Sequence, residues 1–193
     1  MSGNLQKYKS KNIIQKMLIN KFLYNVYRLI SLTKVESILD LGCGEGFVIG
    51  YLRNHNNNLR FEGLDINKEA INMAKKLNPD VNFVICNLYK LQYNENSFDL
   101  VMLTEVLEHL EDPEKVMNVV KKISNKHFIL SVPWEPLFSI SNLLRGKNIL
   151  KWGNDPEHIN KWGRDQFVTF VNNHFSVTRV VSSFPWTIVL CEK

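Results

Sequence analysis

The 193-residue chain predicts a doubly wound α/β fold on a mostly parallel sheet, and three observations carry that expectation. Strand-like and helix-like stretches alternate from Ser37 to Val132, a glycine-rich turn opens the first helix of that series, and two β-rich runs close the chain. Alternation of this kind places helices over both faces of a parallel sheet. The length and the 45% hydrophobic content suit one core, so a single domain is expected over residues 1–193.

The elements follow in order. From Asn12 to Ile30 apolar residues recur as Ile14, Leu18, Phe22, Val26 and Ile30, with Met17 and Leu29 beside them, which is the pattern of an amphipathic helix within residues 1–35. In the expected core, residues 36–133, Ser37 to Leu41 reads as a strand, a helix follows from about Phe47, and Arg60 to Ile66 is the next strand. A helix from Lys68 to Leu77, strands at Val81 to Cys86 and Phe98 to Thr104, a helix after Pro113 and a strand from His127 to Val132 continue the series. Residues 134–175, rich in Trp, Pro, Gly and Asn and ending in an apolar segment from Phe167 to Phe175, break the pattern and read as an insertion that covers the substrate. Val177 to Ser183 and Trp186 to Cys191, joined at Phe184-Pro185, are close enough to pair as a terminal antiparallel hairpin within residues 176–193.

Bulk properties narrow the function. Apolar runs fall short of the roughly 18 residues a membrane span needs, and the amino end lacks the basic-then-apolar pattern of a secretory leader, so a cytoplasmic protein is expected. Cys43, Cys86 and Cys191 are odd in number and set among apolar residues, which suits reduced, buried thiols rather than disulfides. The net charge of +5 is concentrated in Lys7, Lys9, Lys11, Lys16, Lys21, Arg28 and Lys34, which stand before any acid. Such an arm can attract an anionic partner, but a solvated helix face is the plainer reading.

Ile38-Leu39-Asp40-Leu41-Gly42-Cys43-Gly44-Glu45-Gly46 is a buried strand running into a glycine turn, where the backbone can bend sharply and meet a ligand closely. Asp65 ends the second strand 23 residues after Gly42, the spacing at which a carboxylate grips the ribose of a nucleoside. The dinucleotide fingerprint is G-x-G-x-x-G, whereas this turn reads Gly42-x-Gly44-x-Gly46 with Asp40 two residues ahead. In these residues the chain resembles the class I S-adenosylmethionine-dependent methyltransferases, of the type 11 and ubiquinone-pathway O-methyltransferase kind, which carry a Rossmann-like fold. The resemblance implies that Asp40 and Gly42, Cys43, Gly44 and Gly46 hold the methionine part of S-adenosyl-L-methionine and that Asp65 takes the ribose. It also implies that Asn87, near the end of strand three, accepts the adenine amino group, with Ile66, Leu88 and Thr104 completing the cofactor-binding set.

Glu105, Glu108 and His109 follow the fourth strand at once, at the end of the sheet where ligands sit in open α/β folds. Methyl transfer asks an enzyme to align the acceptor and remove its proton, and His109 is the candidate base. A hydrogen-bonded knot at the helix start before Asp112-Pro113 is the structural alternative. Ubiquinone-pathway O-methyltransferases and small-RNA 3′-terminal 2′-O-methyltransferases use E-x-x-E-H with a further insertion His to bind a divalent ion, and Glu105, Glu108, His109 and His158 match that pattern. The metal-free base is the preferred reading. His55 is expected in a solvated loop, His127 and His174 in structural positions, and Trp134 on the wall of an acceptor pocket. The expected function is methyl transfer to an O or N nucleophile of a small molecule. Metal-assisted RNA 2′-O-methylation is the alternative, disfavoured because no basic stripe with interleaved aromatics lies beyond the arm. A non-catalytic cofactor-binding protein is the third reading.

Overall fold

The computed structural model of the chain describes residue 8, residues 12–144 and residues 152–193. Lys7, Lys9 and Lys11 of the basic arm, and residues 145–151 of the expected insertion, lie outside the described residues.

Helix α1 spans Ile13–Ser31, and it starts at Asn12 because the Asn12 side chain accepts the Gln15 N–H at 3.1 Å. The strand-and-helix series is β1 Ser37–Leu41, α2 Phe47–His55, β2 Arg60–Asp65, α3 Lys68–Leu77, β3 Asn82–Ile85, β4 Phe98–Thr104, α4 Pro113–Ile123 and β5 Ser124–Pro133. Helices α5, Leu137–Leu144, and α6, Arg164–Asn172, belong to the stretch after β5, and β6 Ser176–Ser183 and β7 Trp186–Glu192 close the chain. Local chemistry sets the helix starts. Asn67 caps α3 by accepting from Glu69 and Ala70, and Asp112 caps α4 by accepting from Lys115 just before Pro113.

The seven strands are ordered β3-β2-β1-β4-β5-β7-β6, parallel from β3 to β5, with β7 antiparallel to both β5 and β6. The doubly wound sheet with its terminal antiparallel hairpin is therefore as the sequence predicts. Alternation along the central strands sorts the side chains into two layers. Ile38, Leu100, Met102, Ile129 and Ile188 pack with α1, α2 and α3 on one face, while Leu39, Leu41, Val101, Leu103, Phe128 and Val189 pack with α4 and α6 on the other. Because the chain reverses direction across the sheet between β1 and β4, the carboxyl ends of these two strands bound a crevice.

Several elements differ from the sequence reading. β5 begins at Ser124 rather than His127: Ser124 pairs with Phe98 across an irregularity in the ladder, and its hydroxyl donates to the His127 carbonyl at 2.9 Å. The apolar segment at Phe167 to Phe175 is largely α6, with Phe167 and Val171 buried one turn apart. In α1, Phe22, Val26, Leu29 and Ile30 are buried but Ile14 and Met17 are 68% and 66% exposed. A four-residue step overshoots the helical turn by about 40°, so a stripe that starts at Ile14 rotates away from the core over the length of the helix. Cys43 and Cys191 are buried free thiols, whereas Cys86 is half-buried. His55 ends α2 rather than lying in a loop and stacks on Tyr51 at 4.2 Å. His174 pairs with Glu114 at 2.8 Å, and His127 lies 3.6 Å from Glu192.

Candidate cofactor and methyl-transfer site

The glycine turn is bent by three consecutive-alternate glycines in the left-handed region, with φ of +75° at Gly42, +53° at Gly44 and +74° at Gly46. At Gly42 and Gly46 close packing adds a second requirement. A Cβ on Gly42 would lie 2.4 Å from a Val106 methyl, and one on Gly46 would meet Asn78 at 3.0 Å and Phe83 at 3.1 Å. The turn amides have protein acceptors: Gly42 and Cys43 donate to the Leu64 carbonyl, Gly44 to Asp65 Oδ2 at 2.8 Å, and Gly46 to the Cys43 carbonyl. A diphosphate site needs such amides turned towards the ligand. With four of them engaged, the turn suits a nucleoside cofactor without phosphate.

Asp40 ends β1 beneath this turn, fully buried, and neither of its carboxylate oxygens has a hydrogen-bond partner among the described residues. Burial, and after it the Asp65 carboxylate, pushes its pKa up to about 7. A buried acid in this condition fits a cationic ligand group such as an α-ammonium. Its raised value also has a stability consequence: the folded chain keeps a proton that the unfolded chain releases near 3.8. That contribution is complete below about pH 4 and is lost as the pH rises through about 7. Ligand-free Asp40→Asn is therefore expected to melt above the parent at pH 8, by up to about 4 kcal/mol of stability, with the gap narrowing at pH 5 and closing below about pH 4. The same variant should bind a cationic ligand more weakly. A lower melting temperature than the parent at pH 8 would contradict this picture of Asp40.

Asp65 ties β2 to the turn, since its Oδ1 accepts the Asn67 N–H and its Oδ2 the Gly44 N–H, both at 2.8 Å. A carboxylate has about four acceptor positions, which leaves room for ribose hydroxyls. Ile66, beside it, is 68% exposed, as a surface for a planar base requires, and Leu88 is buried. The Asn87 amide oxygen accepts the Tyr89 N–H at 2.9 Å and so caps the short 3-10 turn Leu88–Lys90. One lone pair of that oxygen is used locally, and the other suits an exocyclic amine. Thr104 is buried at the end of β4. Burial also raises the Cys43 thiol far above its ordinary value, so it stays protonated.

After β4 the backbone at Glu105 takes φ +59°, uncommon for a residue with a side chain, and its N–H donates to both the carbonyl and the hydroxyl of Ser131. Val106 then seats on Gly42, and a 3-10 turn carries Leu107, Glu108 and His109. Because Asp112 and Pro113 start α4 by themselves, Glu105 to His109 do not form its cap. The stretch after β5 folds back onto this turn. Ile159 and Asn160 both donate their N–H groups to the Glu108 carbonyl, at 2.8 and 3.0 Å, and the Asn160 side chain donates to the carbonyls of Leu107 and Leu110. His109 Nδ1 lies 2.9 Å from the Glu157 carbonyl, an acceptor only, so Nδ1 carries the hydrogen and Nε2 is the basic nitrogen of the neutral ring.

His109 and His158, forty-nine residues apart, meet edge to face with ring centroids 5.1 Å apart. Ligand atoms of Glu108, His109 and His158 lie within 4.8 Å of one another, whereas Glu105 is not within that group. Burial holds His158 below the usual imidazole range; His109 acts in the same direction, and Asp155, Glu135 and Glu105 oppose it. His158 is therefore a neutral ring near neutral pH. Trp134 is half-buried after β5, with its N–H on the Pro185 carbonyl.

Sequence reasoning missed four supports of this site. Asn78 reaches 32 residues back to donate to the Gly46 carbonyl at 3.1 Å, and Ser131 and Asn160 hold the post-β4 turn as described. Tyr8 stacks on Phe47, at the start of α2, with centroids 4.5 Å apart and planes 15° apart. Burial, then Glu105, Asp40 and Glu45, raise its phenol well above the ordinary value.

Comparison with known proteins agrees with this geometry. The family described as "Methyltransferase domain" matches residues 39–127. An uncharacterized methyltransferase of Schizosaccharomyces pombe is 30% identical over 117 residues, 52% of this chain and 40% of that protein. A ubiquinone biosynthesis O-methyltransferase of Rickettsia bellii is 34% identical over 92 residues, 46% of this chain and 38% of its own length. The chain thus spans about two fifths of the curated relatives it matches. Magnesium protoporphyrin IX methyltransferase from Synechocystis, crystallised with SAH, shares the fold with a TM-score of 0.73 at 18% identity, over 98% of this chain and 92% of that one. With the intact glycine turn, the switch-point crevice and the methyltransferase-domain match over residues 39–127 together, the chain is similar to the class I S-adenosylmethionine-dependent methyltransferases.

Proposed function

We propose that the chain transfers a methyl group from S-adenosylmethionine to an oxygen or nitrogen nucleophile of a small molecule, with His109 taking the acceptor's proton. The observation that carries this reading is the orientation of His109, whose Nδ1–H is tied to the Glu157 carbonyl so that Nε2 is left as the base. The cofactor supplies an electrophilic methyl on a sulfonium sulfur: a C–O or C–N bond forms in line as the C–S bond breaks, and that electron pair returns to sulfur. The residues do the rest. Asp40 faces the ammonium group, Gly42 to Gly46 shape the floor, Asp65 holds the ribose, and Asn87, Ile66 and Leu88 receive the adenine beside Thr104. Asp40, Glu45, Asp65 and Glu105 give the crevice a negative field that favours a cationic cofactor over a diphosphate. Glu108 and His158 steady His109, while Trp134 and the folded-back stretch after β5 exclude water from the acceptor. The ubiquinone and protoporphyrin relatives, both named for small molecules, support a small-molecule acceptor.

One observation favours a second reading, in which a divalent ion acidifies a hydroxyl acceptor: the convergence of Glu108, His109 and His158. Two arms of one experiment separate the readings. With methyl-labelled S-adenosylmethionine and a panel of phenols, amines and short RNAs, label is expected in a phenol or an amine and turnover is expected to survive chelation. Label in RNA ribose would overturn the acceptor class. Activity lost to chelator and restored by Mg²⁺, Mn²⁺ or Zn²⁺ would establish the metal reading.

A further inference from the structure

Helix α1 presents two faces of different character. Ile19, Phe22, Leu23, Val26, Leu29 and Ile30 are buried against the sheet and α2. At about 100° per residue, Ile13, Met17, Lys21, Tyr24 and Arg28 fall on the opposite side, with Ile14 at its margin. Ile13, Ile14 and Met17 are 73%, 68% and 66% exposed. Lys16, Lys21 and Arg28 are also exposed, and Arg28 lies over the Tyr24 ring at 6.0 Å. The helix contains no acidic residue, and Lys7, Lys9 and Lys11 precede it in the sequence.

We propose that this outer face of α1 docks on the surface of an anionic lipid bilayer. Each half of the pattern argues for that occupant against the others. Three aliphatic side chains turned to water gain from burial at the level of acyl chains, which a phosphate backbone does not offer. Cations interspersed among them gain from anionic headgroups, whereas the apolar interface of a second copy would bury like charges against each other. No helix among the described residues is long and apolar enough to cross a membrane, so the contact is interfacial. Tyr8, which precedes α1 in the sequence, stacks on Phe47, the first residue of α2 just after the glycine turn. Docking there would set the crevice close to the lipid surface.

The test needs no turnover and so stands apart from the proposed chemistry. The full chain is sedimented with vesicles of phosphatidylcholine alone and with vesicles in which a quarter of the lipid is phosphatidylglycerol. Binding to the anionic vesicles alone is expected, weakening as salt rises. Two variants each change only exposed positions, and circular dichroism checks that they fold: Ile14→Asp with Met17→Asp, and Lys21→Glu with Arg28→Glu. Each pair is expected to weaken binding at least about tenfold, since one cation near the surface is worth about fivefold. Absence of binding to anionic vesicles, or undiminished binding by either folded variant, would overturn the proposal. So would a dimer in light scattering that Met17→Asp dissociates, or tight RNA binding that the aspartate pair leaves intact.

Discussion

His109→Ala is expected to lower turnover by about 10²–10⁴-fold, the range for loss of a positioned general base, while leaving cofactor affinity within a few-fold of the parent. The geometry sets this expectation. His109 is exposed at the carboxyl end of the sheet, its Nδ1–H is held by the Glu157 carbonyl, and the Nε2 lone pair is the atom left for a proton. Truncation removes that base without opening a cavity in the core. Initial rates measured over a range of pH, beside calorimetry of cofactor binding, check both halves of the prediction. A rate loss accompanied by an equal loss of cofactor affinity would point to a structural role for the ring. His158→Ala should be milder, because it acts through His109; equal damage in the two variants, together with sensitivity to chelation, is the pattern of a shared metal instead.

Gly44→Val is expected to abolish measurable cofactor binding, with an affinity loss of at least about a hundredfold. At φ +53° a β-branched residue is strongly disfavoured. Relief of that strain is expected to move the Gly44 N–H off Asp65 Oδ2, and with it the carboxylate proposed to hold the ribose. Gly44→Ala should show a smaller loss in the same direction, since it carries the left-handed penalty without the branch. Thermal melts of both variants separate loss of the pocket from loss of the fold. Parent-like affinity in Gly44→Val would remove the turn from the binding site.

Local signals were the legible ones. The glycine turn, Asp65 and the run from Glu105 to His109 are each contiguous residues at strand ends, so composition and spacing place them on the ligand side of the sheet. The alternation of strands and helices is equally local and fixes the doubly wound order. What the sequence could not show depends on chain segments meeting in space. The Glu157 carbonyl that orients His109 has no side-chain signature, and Asn160 finds its Leu107 and Leu110 acceptors some fifty residues away. Asn78 looks like any polar helix end until it is seen under Gly46. Tyr8 lies in a polar, lysine-rich stretch with no periodicity. Ser124 to Lys126 are polar enough to read as a turn, yet they extend β5 because β4 offers them a ladder. The described part of α5 is eight residues, too short for a helical period to stand out.

Every role assigned above rests on the crevice between β1 and β4 accepting S-adenosylmethionine, and titration calorimetry of the purified chain tests this most directly. S-adenosylmethionine and S-adenosylhomocysteine are expected to bind at one site per chain in the low micromolar range, and NAD is expected to give no heat of binding. Comparable binding of NAD, or no binding of either sulfur nucleoside by a chain shown to be folded, would contradict the account.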